Sequence, residues 1–190
     1  MSKTLNNNLL GIVLIGGMSM RMGEDKYLLK IHGVPQYAYL YELLQNLNIT
    51  TFISCNQKQE AILPASFPRI IDLHTHIGPI GGLASAIQQN GAESILLVAC
   101  DLIHLKQETV QKLIHENDPD YDVVTFRKKG SPYLETTITI YNPGSFHRVT
   151  AAVKKGNYSL QGILQESKVK EIAIDDESTL SNANIKEDLI

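Results

Sequence analysis

The stretch "GGMSMRMGEDK", residues 16–26, carries two adjacent glycines, a serine, an arginine, a third glycine and a lysine. These residue types suit phosphate. Glycine lets backbone N–H groups turn toward an anion with no Cβ in the way. Arginine presents a planar fork matched to phosphate oxygens, and lysine a movable point charge. The spacing excludes two common phosphate loops. A Walker A loop needs G-x-x-x-x-G-K-[ST], yet Gly23 is followed by Glu24, and Arg21 and Met22 stand where Gly16 and Gly17 would need a second glycine. A G-x-G-x-x-G fingerprint fails because Gly16 and Gly17 are adjacent. Residue chemistry alone also allows a tight strand-to-helix turn with solvated charges.

Two carboxylates stand in comparable places. "RIID" ends in Asp72, and "SILLVAC" runs straight into Asp101. Each could give a divalent cation a hard oxygen ligand. Each could instead cap the following helix. The metal role is the stronger reading for Asp101. No serine–histidine–aspartate signature points to a side-chain nucleophile.

The elements that must position these residues alternate. "LLGIVLI" (9–15) is an aliphatic run suited to a strand covered on both faces. Residues 35–47 form an amphipathic helix, with Pro35 at the first helical position and Tyr37, Leu40, Tyr41, Leu44 and Leu47 at helical spacing. "TTFISC" (50–55), "RIID" (69–72) and "SILLVAC" (94–100) read as strands, separated by helical "QKQEAIL" and "GGLASAIQQ" (81–89). Next come a helix over 106–117, strands at 122–126 and 134–141, helices in "PGSFHRVTAAVKK" and "SLQGILQES", and a last strand at 169–174. This rhythm predicts one domain over residues 1–190: a three-layer α/β/α sandwich with a mostly parallel, Rossmann-like sheet. An antiparallel strand is expected near the C-terminal end. In such sheets ligands sit at the carboxyl ends of the strands, near a topological switch point. The glycine loop, Asp72 and Asp101 all fall there.

Bulk properties narrow the function. The chain has 190 residues, 43% of them apolar, enough for a full core. The net charge of −3 argues against nucleic acid or an anionic membrane as the main partner. No apolar stretch approaches the roughly 20 residues of a membrane span. "MSKTLNNNLLGIVLIGG" lacks an A-x-A-like cleavage site, and its apolar run reads as the first strand and not as a signal peptide. Cys55 and Cys100 form no C-x-x-C pair and read as reduced thiols, which suits a cytoplasmic protein.

The order of residues is more specific than the ingredients. "L-x-G-G-x-S-x-R-M-G-x-D-K", from Leu14 to Lys26, resembles the signature of the nucleotidyltransferase family of molybdenum cofactor guanylyltransferase. "SCNQ" around Asn56, "ID" ending in Asp72, "GPIGGLASAI" from Gly78, "VACD" ending in Asp101, "SLQGILQE" and "NANIKEDL" (182–189) follow in the family's order. The resemblance spans nearly the whole chain. It implies a nucleotide-diphospho-sugar transferase-like fold and Mg²⁺-dependent transfer of GMP from GTP to the terminal phosphate of molybdopterin. It also implies contact with other molybdenum cofactor proteins. By the same resemblance, Leu14, Ile15 and Gly16 lie along the base and ribose, and Gly17, Ser19 and Arg21 hold the β- and γ-phosphates. Lys26 reaches the α-phosphate, Asn56 and Asp72 contact the nucleoside, and Asp101 binds Mg²⁺. Asn182 and Asn184 sit on the acceptor side. Arg21, Lys26 and Asp101 are the catalytic set. The Gly16–Gly17 doublet favours guanylyl over cytidyl transfer, whose enzymes tend toward alanine then glycine.

Some positions depart from the family. "LIHL" follows Asp101 where a small residue or proline is usual. Thr136 and Thr137 replace a proline–leucine step, and Ile185 and Lys186 replace threonine–proline in the tail. The last two bear on the acceptor side. His74 and His76 look like a metal pair but have no third ligand nearby in sequence. "RKKG" (127–130) reads as a solvated strand end, or as a basic cluster able to meet a pterin phosphate. The tyrosines of "YAYLYE" read as helix packing. Asn182 and Asn184, two apart, present both amides to one side of an extended segment ahead of a short helix in "IKEDLI". They could equally be a turn residue and an N-cap.

Overall fold

The computed structural model describes residues 9–16, 25–91 and 94–181. Seven strands form one sheet: β1 (Leu9–Leu14), β2 (Thr50–Cys55), β3 (Arg69–Ile71), β4 (Ser94–Ala99), β5 (Val123–Arg127), β6 (Leu134–Tyr141) and β7 (Val169–Ala173). Their order is β3-β2-β1-β4-β6-β5-β7. β6 runs antiparallel to both neighbours, β4 and β5, and the other pairs are parallel.

Among the described residues six α-helices cover the sheet: α1 (Gln36–Gln45), α2 (Gln57–Glu60), α3 (Pro79–Asn90), α4 (Gln107–His115), α5 (Pro143–Lys154) and α6 (Leu160–Gln165). Strand alternation splits the core in two. Val13, Ile53, Leu96, Val98 and Ile140 pack on one face with Leu40 and Leu44 of α1 and Val110 and Leu113 of α4. Ile12, Leu14, Ile95, Leu97 and Tyr141 pack on the other with Ile80 and Leu83 of α3, Val149 of α5 and Ile163 of α6. Each fully buried leucine or isoleucine contributes roughly 1.5–3 kcal/mol over its exposed state. β1 is buried at every residue, as expected of a strand with helices on both sides.

Element boundaries differ from expectation by one to three residues. Pro35 is the N-cap of α1 and not its first helical residue. α3 begins two residues early because Pro79, with its preset φ, starts it after Gly78. Two single 3₁₀ turns were not anticipated, Lys26–Leu28 and Glu177–Leu180. No helix among the described residues is long and apolar enough to cross a membrane.

Candidate active site

β1 and β4 are neighbours, while the chain leaves β1 toward β2 on one side and reaches β6 beyond β4 on the other. That is the switch point, where the loops at the strand ends diverge and leave a crevice. A cavity of about 260 Å³ opens there, lined by Leu14, Ile15 and Gly16 from the end of β1 and by Ala99, Cys100 and Asp101 from the end of β4. Lys26 and Tyr27 close it from the 3₁₀ turn, Gly78 and Pro79 from the start of α3, and Thr137 from β6.

The strand ends are held in register beyond the last ladder residues. The Ile15 amide donates to the Ser54 carbonyl at 3.2 Å, and the Cys100 amide to the Leu14 carbonyl at 3.1 Å. Gly78, with φ 76°, turns the chain into α3, a conformation that favours glycine. Four residues on, a Cβ at Gly82 would overlap the Leu14 and Ser54 side chains. Glycine there lets α3 settle against the carboxyl end of the sheet.

Asp101 is the electrostatic centre. Its Oδ1 is buried with no hydrogen-bond partner among the described residues. Burial raises its pKa above the ordinary carboxylate value, while the nearby Lys26 ammonium pulls it back and Glu135 adds to the rise. Neither Asp101 nor Asp72 caps a helix, so that alternative is overturned. α4 has Lys106 as its N-cap and α3 has Gly78, neither with a side-chain cap bond. The Asp72 carboxylate instead accepts from Ser54 Oγ at 2.5 Å. Burial raises its pKa and the Ser54 hydroxyl counteracts. It flanks the crevice, because a Cβ on Gly16 would lie 3.6 Å from Asp72 Oδ2.

Asn56 has a structural duty at the end of β2. Its Oδ1 accepts from the amides of Lys58 and Gln59, and Gln59 Oε1 accepts the Asn56 amide, a complete capping box. Gln59 Nε2 then donates to the Ile15 carbonyl at 3.0 Å, fastening α2 to the end of β1.

The structure thus gathers Leu14, Ile15, Gly16, Lys26 and Asp101 around one cavity, with Asp72 on its flank and Asn56 at the adjoining strand end. Gly17, Ser19, Arg21, Asn182 and Asn184 lie outside the described residues. Tyr27, Pro79 and Thr137 were not singled out as site residues. Thr137 was noted only as a departure from the family on the acceptor side; strand direction brings it here, because an antiparallel β6 begins at the carboxyl edge of its parallel neighbours, with Ile138 opposite Val98. Cys100 lines the cavity but is no nucleophile, because burial and then the Asp101 charge push its thiol well above the ordinary value. Both cysteines are free.

"RKKG" is solvated in its second half, where Lys129 and Gly130 are exposed, while its first two charges are engaged. Arg127 forks onto Glu171 at 2.5 and 2.8 Å, and Lys128 Nζ meets Glu135 at 3.0 Å and the Leu180 carbonyl at 2.9 Å. Tyr37 packs in the core as expected, whereas Tyr39 also donates its hydroxyl to the Leu105 carbonyl.

The sequence pattern of the MobA-like NTP transferase domain matches residues 11–172. The chain belongs to the MobA-like NTP transferase family. The chain is 30% identical over 181 residues to the "Molybdenum cofactor biosynthesis bifunctional protein" of Synechocystis, covering 95% of this chain and 52% of that one. It is 29% identical over 180 residues to the "Probable molybdenum cofactor guanylyltransferase" of Aquifex aeolicus, covering 93% and 86%. Among solved structures, molybdopterin-guanine dinucleotide biosynthesis protein A from Archaeoglobus fulgidus superposes with a TM-score of 0.79 over 95% of this chain and 94% of that one. At 21% identity that likeness shows the fold.

Proposed function

We propose that this MobA-like chain, as one domain over residues 1–190, transfers GMP from GTP to the terminal phosphate of molybdopterin in the cytoplasm. The observation that carries the reading is that Lys26 and Asp101 line one switch-point cavity, with Asp101 Oδ1 buried and without a hydrogen-bond partner among the described residues. An oxygen of the acceptor phosphate attacks the α-phosphorus, the bond from that phosphorus to the bridging oxygen breaks, and pyrophosphate leaves. The acceptor oxygen is already anionic, so no side-chain nucleophile is needed.

The residues fit a Mg²⁺ ion. Asp101 offers a hard anionic oxygen that lacks a partner among the described residues. No group of three or more His, Cys, Asp and Glu forms a closed cage among them. Mg²⁺ is commonly held by one or two carboxylates together with substrate phosphates and water. When bound, such an ion neutralises charge building on the phosphates. Lys26 does the same from the protein side, and Arg21, Ser19 and the Gly17 amide complete the phosphate contacts. Leu14, Ile15 and Gly16 lie along base and ribose. Asp72 accepts from the nucleoside, and Asn56, its Oδ1 committed to the cap, meets it through its amide nitrogen. Asn182 and Asn184 meet the acceptor, and other molybdenum cofactor proteins receive the product.

GTP with Mg²⁺ should stabilise the protein more than CTP, ATP or UTP do. At 100 times its dissociation constant a ligand adds about 2.7 kcal/mol, a shift of several degrees for a chain this size. Equal shifts with all four nucleotides, or the largest with CTP, would overturn the guanylyl assignment. Pyrophosphate release that does not depend on molybdopterin would overturn the acceptor.

A further inference from the structure

Gln36 is fully buried, an unusual place for an amide. It is the first residue of α1, where the backbone N–H has no partner within the helix. That N–H donates to the Leu29 carbonyl at 2.9 Å. Leu29 closes the 3₁₀ turn that carries Lys26, its own amide bonding the Lys26 carbonyl. The Gln36 side chain points the other way. Its Nε2 donates to the Leu102 carbonyl at 3.2 Å, one residue beyond Asp101. One residue therefore bonds both the turn bearing the cavity's lysine and the turn bearing its carboxylate.

Two neighbours act on the same turn. His32 Nε2 lies 2.8 Å from the Ile103 carbonyl, and so carries the proton, and Tyr39 Oη donates to the Leu105 carbonyl at 3.1 Å. Their rings stack at 3.8 Å with an 18° tilt. Three side-chain donors from the α1 region thus grip three carbonyls in the segment after Asp101. That segment has short internal bonds, including Leu105 N–H to the Leu102 carbonyl at 3.3 Å. The Leu102 carbonyl would keep this partner without Gln36, so the side-chain bond is not required for its satisfaction. Gln36 Oε1 is buried with no partner among the described residues, which burdens the fold.

The geometry points to Gln36 as a positioning residue: its backbone and side-chain amides set the placement of Lys26 relative to Asp101, and so the preorganisation of the metal and phosphate site. The inference rests on the proposed roles of Lys26 and Asp101. Small misplacement of groups around a reacting phosphate lowers the rate steeply.

Gln36→Met keeps length and flexibility and removes both polar atoms. It should fold with a melting temperature equal to or above that of the parent. At saturating Mg²⁺, kcat should fall roughly tenfold while KM for GTP stays within about twofold, as for loss of a group that orients a metal ligand. Mn²⁺ binding to the GTP complex, read by electron paramagnetic resonance without turnover, should weaken roughly tenfold. A lower melting temperature with unchanged kcat and Mn²⁺ affinity would make Gln36 merely structural and overturn the inference. If Gln36→Met does not fold, Tyr39→Phe carries the test. It removes one hydroxyl from the same grip and should weaken Mn²⁺ binding, and unchanged binding counts against the inference. Asp101→Asn run alongside separates the two readings. If it keeps full turnover, the metal role of Asp101 falls and this inference with it. If it is inactive while Gln36→Met matches the parent, only this inference falls.

Discussion

Asp101 is costly to the fold. Burial lifts its pKa above the ordinary 3.8, and the Lys26 charge only partly offsets this. A carboxyl group whose folded pKa is raised favours folding while protonated, and that contribution is lost as pH rises through the folded value. At neutral pH the ionised carboxylate is therefore a destabilising group in the nucleotide-free protein. Asp101→Asn should raise the melting temperature at pH 7, and the gain should shrink as pH falls through the raised pKa. Transfer should fall by about 10² or more, the scale of losing one group that stabilises developing charge. Calorimetry at two pH values and a pyrophosphate assay check both halves. A variant that is less stable at pH 7 would show that the carboxylate is compensated by groups other than Lys26.

At the scale of elements, the crevice depends on how closely α3 approaches β1 and β2. Gly82 sits against Leu14 and Ser54, and Ser54 in turn holds the Asp72 carboxylate. Gly82→Ala should cost about 1–3 kcal/mol through overpacking, despite the better helix propensity of alanine. The urea midpoint should fall with an unchanged m value. A stabilised Gly82→Ala would mean that Leu14 and Ser54 yield without strain. α1 makes the complementary approach from the other face, where a Cβ on Gly11 would stand 3.0 Å from Leu44 Cδ1 and Thr51 Oγ1.

Across the whole molecule, the end of the described chain is fastened beside the cavity wall. Lys106 and Lys112 pair with Asp176 and Asp175, Leu180 is fully buried, and Lys128 ties the Leu180 carbonyl to Glu135 of β6. Glu135 is close enough to raise the Asp101 pKa. Lys128 thus links the last described turn, Glu177–Leu180, to β6. Asn182→Ala and Asn184→Ala should leave the melting temperature and GTP affinity nearly unchanged while transfer to molybdopterin falls. A stability loss of about 1 kcal/mol with normal transfer would instead mark a helix cap.

The sequence by itself determined the alternating strand and helix order, the mostly parallel sheet, and the placement of Gly16 and Asp101 at strand ends. Local periodicity and punctuation carry that information. The family signature from Leu14 to Lys26 carried the chemistry. An antiparallel strand toward the C-terminal end was expected, but strand order, the identity of that strand as β6 and the closeness of Lys26 to Asp101 were decided only by the tertiary structure, because they depend on residues distant in the chain. The same holds for the two carboxylates, whose local signal could not separate a helix cap from a buried ligand. It holds for Arg127 and Lys128 of "RKKG", whose apparently solvated charges found Glu171, Glu135 and the Leu180 carbonyl. Gln36 was invisible for the same reason: only packing buries it, with its side chain on a carbonyl 66 residues further along the chain.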